Sequence, residues 1–95
     1  MTELKRELSI PPDVESNGGT EILRLFISGG ALSLSMQRAF AEPEAWGRLL
    51  AQLASQAADL YARETELSAP EALADIRIAI DAALDQIESG LSPLN

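Results

Sequence analysis

The chain contains no histidine and no cysteine. Without His it lacks the usual general base near neutral pH and the commonest metal ligand. Without Cys, disulfides, thiolate metal sites and cysteine nucleophiles are excluded together, which fits a reducing cytoplasm, the expected location. Aromatics are scarce, at 4% of the 95 residues, so the interior has to be assembled from Ala, Leu and Ile and the helices have to pack closely. No run approaches the roughly 20 apolar residues of a membrane span. The opening M-T-E-L-K-R-E is not followed by an apolar export segment, so the expectation is a soluble, unexported protein without a membrane partner.

Positive charge is also short. Seven basic residues against fifteen acidic ones leave a net charge of -8, and Lys5, Arg6, Arg24, Arg38, Arg48, Arg63 and Arg77 are scattered rather than clustered. A phosphate backbone would be repelled, so nucleic acid is not an expected partner.

What is present divides the chain into an arm, a hairpin, two helices and a tail. In residues 1–20, Pro11, Pro12, Asp13, Ser16, Asn17, Gly18 and Gly19 favour turns and extended backbone, and predict an extended arm with no helix, whose Leu4, Leu8 and Ile10 can dock on the core. From Glu21 to Arg38 the pattern has period two, interrupted by Gly29-Gly30, which suit a tight primed turn. That turn pairs Ser28 with Ala31, Ile27 with Leu32, Leu25 with Leu34, Leu23 with Met36 and Glu21 with Arg38. Six aliphatic residues then share one face, while Ile22, Arg24, Phe26, Ser28, Ser33, Ser35 and Gln37 share the other.

Pro43 suits a first helical turn, and Trp46, Leu49, Leu50, Leu53, Ala54, Ala57, Leu60 and Tyr61 follow at helical spacing, predicting a helix over about 43 to 64. Glu44–Arg48 and Asp59–Arg63 are acid-before-base pairs on its solvated side. Ser68-Ala-Pro-Glu71 is a capping box, and Leu73, Ile76, Ile80, Ala83, Leu84 and Ile87 predict a second helix over about 69 to 89, stopped by Gly90. The connection at 65–67 is short enough to force the two antiparallel.

Few residues invite a chemical reading. Asp81, Asp85 and Glu88 stack on one helical stripe and could attract a basic protein, although one straight helix cannot converge enough oxygens to hold a metal. Neither Gly-Gly pair is followed by a phosphate-binding Gly-Lys-Ser/Thr run. Ser28, Ser33 and Ser35 have no activating base. Trp46 reads as a core anchor where the first helix meets the sheet, and Gly47 beside it as a close approach of backbone or ring.

The order L-S-I-P-P at 8–12, E-I-L-R at 21–24, the Gly-Gly hairpin, R-A-F at 38–40 and E-P-E-A-W-G-R-L-L at 42–50 resembles a family of small bacterial proteins known as a domain of unknown function. The resemblance covers about residues 8 to 80, with Trp46-Gly47 its most specific element. Family members often carry an Asp and a His where this chain has Gln52 and Gln56. The resemblance implies the fold and a bacterial cytoplasmic setting, and no activity.

Together these readings predict an α+β, two-layer ββαα protein: an antiparallel hairpin roofed by two antiparallel amphipathic helices. The expected units are an extended arm over 1–20, one domain over 21–91 and a short tail over 92–95. The expected function is that of a non-enzymatic interaction module with no catalytic, cofactor or metal residues. It would be a homodimer through the hairpin, using Ile22, Arg24 and Phe26, and possess a possible basic-protein dock at Asp81, Asp85 and Glu88. The alternative is a ligand binder or weak enzyme with a pocket between helices and sheet, contacted by Gln52, Gln56, Arg38 or Tyr61.

Overall fold

Gly29 and Gly30 close the hairpin with φ of 59° and 80°, values in the left-handed region that favours glycine. In a computed structural model, which describes residues 7–91, β1 (Leu23–Ser28) and β2 (Ala31–Met36) pair antiparallel with Leu23 opposite Met36, Leu25 opposite Leu34 and Ile27 opposite Leu32. The aliphatic set is thus gathered on one face, as the alternation requires. Pairing stops earlier than the pattern implies. The Gln37 amide Nε2 donates to the Glu21 carbonyl at 2.8 Å and the Gln37 backbone N–H to the Ile22 carbonyl at 3.1 Å. Glu21 turns its carboxylate to Arg24 Nε at 2.9 Å instead of to Arg38, because Arg24 is only three residues away and needs no further strand.

Two helices follow, α2 (Pro43–Glu64) and α3 (Ala69–Glu88), with α1 (Pro12–Asn17) preceding the hairpin. α1 corrects the expectation of an extended, helix-free arm. Pro12 stands in its first turn, where a missing N–H costs nothing, Asp13 and Glu15 complement the N-terminal dipole, and Gly18 follows its end. Leu4 and the tail 92–95 lie outside the described residues. Glu42 is held extended (φ -112°, ψ 135°), as the residue before Pro43 must be, and the chain bends over residues 40–42 before α2 begins at Pro43. At the other end of α3 the Gly90 N–H donates to Ile87 and the Leu91 N–H to Gln86, which satisfies the last carbonyls.

The capping box at α3 is complete: the Glu71 N–H donates to Ser68 Oγ at 3.2 Å and the Ser68 N–H to Glu71 Oε1 at 3.1 Å. The Ser68 backbone hydrogen bond, aided by the Ser68 side chain, lowers the Glu71 pKa below its ordinary value of 4.5. A depressed folded-state pKa gives stability that is present above the unfolded pKa and is lost as pH falls through the folded one. Glu71→Gln is therefore expected to flatten the stability profile below about pH 4.5, and Ser68→Ala to cost about 1 kcal/mol at neutral pH, both read by urea denaturation.

α2 and α3 pack on each other through small side chains. Ala58 and Ala72, exposed by 2% and 3%, are the buried residues among those described, and both lie near the connected end of the pair. Among the described elements β1 packs only on β2 and α2 only on α3. The ββαα order of an α+β protein is as expected, but the helices do not roof the hairpin within one chain. Residues 37–42, with bends at 40–42, connect the two pairs. The radius of gyration, 15.7 Å, reflects this separation, since a globule of this length has about 12 Å.

Candidate interaction surface

The hairpin offers two faces of different character. On the first, the side chains of Leu25, Ile27, Leu32, Leu34 and Met36 are exposed, Ile27 by 68%, with no helix packed on them among the described residues. On the second, Arg24 lies between Glu21 and Glu7, the latter at 3.9 Å, and its guanidinium stacks 5.7 Å from the Phe26 ring centre. Ile22 beside it is half-buried. Thus Ile22, Arg24 and Phe26 come together as expected, but the arm adjoins them and Arg24 is already neutralised. The bare face is the aliphatic one.

The helical pair is bare in the same way. Leu50, Leu53, Ile80, Leu84 and Ile87, toward the end remote from the connection, are each about half exposed. Trp46 does not anchor α2 to the sheet. It is half-buried against Phe40 of the connecting segment, ring centres 5.6 Å apart and planes at 78°, an edge-on contact that staples the connection to the first turns of α2. The close approach expected at Gly47 is absent too: a Cβ there would meet open space, and nothing in the structure explains this glycine. Glu44 and Arg48 stand 4.0 Å apart on the exposed side, and Asp59–Arg63 is not within ion-pair distance.

Asp81, Asp85 and Glu88 are exposed on α3. Their helical positions lie opposite those of Ala72, Ile76 and Ala83, which face α2. Among the described residues no three acidic groups converge as a metal site would require. The pocket expected between helices and sheet does not form, because the two do not meet. One recess, of about 650 Å³, lies between the arm and β1, lined by Leu8, Ile10, Val14, Leu25, Phe26 and the charged Glu7, Glu21 and Arg24. Gln52, Gln56, Arg38 and Tyr61 are not among its walls. No helix among the described residues is long and apolar enough to cross a membrane.

Residues 7–87 match the model of the family described as "Domain of unknown function (DUF5076)". The chain belongs to this family. A solved structure, described as that of a "putative pyruvate dehydrogenase" from the photosynthetic bacterium Rhodopseudomonas palustrus, is 44% identical, with 90% of this chain and 89% of that one covered and a TM-score of 0.71. No curated protein matches the chain. In this DUF5076 member, Gln52 and Gln56, the positions at which the resemblance places an Asp and a His, are exposed on α2 and remote in sequence from the lining of the recess. The surface that sequence reasoning missed is the aliphatic hairpin face together with the open end of the helices. Its signal was the apolar pattern itself, which marks a face for burial without saying against what.

Proposed function

We propose that this DUF5076 protein is a non-enzymatic interaction module that acts as a homodimer, with the hairpin as its association element. The observation that supports this reading is area. The chain presents 8426 Å² to solvent, whereas a monomeric globule of 10.2 kDa presents about 5,300 Å². The excess of about 3,000 Å² exceeds the roughly 800 Å² per partner of a standard interface, and Leu25, Ile27, Leu34, Leu53 and Leu84 are among the exposed residues. A surface of that size belongs with obligate association, and a two-stranded hairpin whose aliphatic face is bare is marginal in water on its own.

Dehydrogenation of a 2-oxo acid, the activity in the relative's description, draws on an electron-sink cofactor such as thiamine diphosphate. The recess does not fit that group: Glu7 and Glu21 would repel a diphosphate, and Arg24 is already paired with both. In sedimentation equilibrium at high micromolar concentration the protein is expected to show twice its 10.2 kDa chain mass. A monomer under those conditions overturns the reading.

A further inference from the structure

We infer that the dimer is reciprocal: the aliphatic face of each hairpin docks on the open end of the α2–α3 pair of a second copy. This rests on the homodimer proposed above and adds which surfaces meet. Two apolar surfaces of one chain lack cover, the Leu25, Ile27, Leu32 and Leu34 face and the Leu50, Leu53, Ile80 and Leu84 region. They do not meet within that chain. The connection between them carries the extended Glu42 before Pro43 and the Phe40–Trp46 contact, and neither brings the aliphatic face onto the helices.

The possible symmetric contacts differ in what they leave in water. Stacking hairpin on hairpin leaves the helical residues exposed, and stacking helices on helices leaves the hairpin exposed. Exchange of hairpins covers both surfaces with one two-fold operation, each chain giving and receiving the same contact. It also assembles the sheet-and-helix layers that the apolar patterning calls for, between chains rather than within one. The Phe26 face, already occupied by Arg24 and flanked by the arm, stays outside.

Complementation between two variants tests the exchange. Leu34→Asp on the hairpin and Leu53→Asp on α2 each spoil both contacts of their own homodimer. In a mixed dimer both substitutions fall in one contact and the other is intact. Each variant alone is expected to sediment as a monomer at about 50 µM, and an equimolar mixture to form a heterodimer at least about tenfold tighter than either homodimer, the expected gain from one restored hot-spot contact. If Leu53→Asp dimerises alone, the hairpins stack on each other; if Leu34→Asp does, the helices associate; either result overturns the exchange while leaving the homodimer standing. A monomeric wild-type protein would remove both. Should the variants not fold, isotope-filtered NOEs on a mixed-labelled wild-type sample decide: methyl contacts from Leu25 or Leu32 of one protomer to Leu53 or Leu84 of the other are expected, and hairpin-to-hairpin contacts alone overturn the proposal.

Discussion

Diluting the protein from about 100 µM to about 1 µM is expected to lower its melting temperature by about 7 °C. If the chain completes its core only with a second copy, unfolding and dissociation are one step, and a hundredfold change in concentration is worth about 2.7 kcal/mol per dimer by mass action. Two chains of 95 residues unfold with an entropy near 0.4 kcal/mol/K, at about 2.1 cal/mol/K per residue, which converts that energy to about 7 °C. Differential scanning calorimetry over the concentration series reads it directly. A melting temperature independent of concentration would mean that a chain with only Ala58 and Ala72 buried among its described residues is stable alone.

Ala72→Leu is expected to destabilise the protein by about 1 to 3 kcal/mol, the usual effect of forcing extra methylenes into a packed contact. Ala72 is 3% exposed where α3 meets α2, and a larger side chain there has to push the helices apart. The same enlargement at Ala82, on the exposed side of α3, is expected to change stability by less than about 0.5 kcal/mol. Urea unfolding of the two variants side by side checks the contrast. Equal losses would mean that the α2–α3 contact does not depend on close approach at the alanines.

The elements legible in the sequence were those written in local chemistry. Gly29-Gly30 gave the turn and with it the register of six strand pairs. Pro43 and the Ser68–Glu71 box marked helix starts, and Gly90 a helix stop, because each satisfies or removes a specific backbone group within one turn. Where local chemistry competes, legibility fell. At Pro12 the same residue that ends helices also begins them, and Asp13 and Glu15 tip the balance toward α1. The Glu21–Arg38 pair that the pattern implies lies two pairs past the end of the ladder at Leu23–Met36, since Arg24 and Gln37 offer nearer partners.

The relation of the hairpin to the helices was not legible for a different reason. Period two and period 3.6 say which side chains avoid water, and the same pattern serves whether the cover comes from the same chain or from another. Leu25 and Leu34 point to one side as the alternation demands, yet among the described residues no helix covers them. The interaction residues chosen from the opposite face, Ile22, Arg24 and Phe26, followed from assuming that the aliphatic face was already roofed. Asp81, Asp85 and Glu88 were placed correctly on an exposed stripe by spacing alone, which carries no information about a partner.

Amide hydrogen exchange of the hairpin reports whether a second copy covers it. At about 100 µM the Leu25, Ile27, Leu32 and Leu34 amides are expected to be protected about as strongly as the middle of α2, and their protection is expected to fall with that of the helices on dilution, because covering the hairpin and holding the dimer are one event. Hairpin amides that exchange freely at every concentration, while α2 and α3 stay protected, would contradict cover by a second copy.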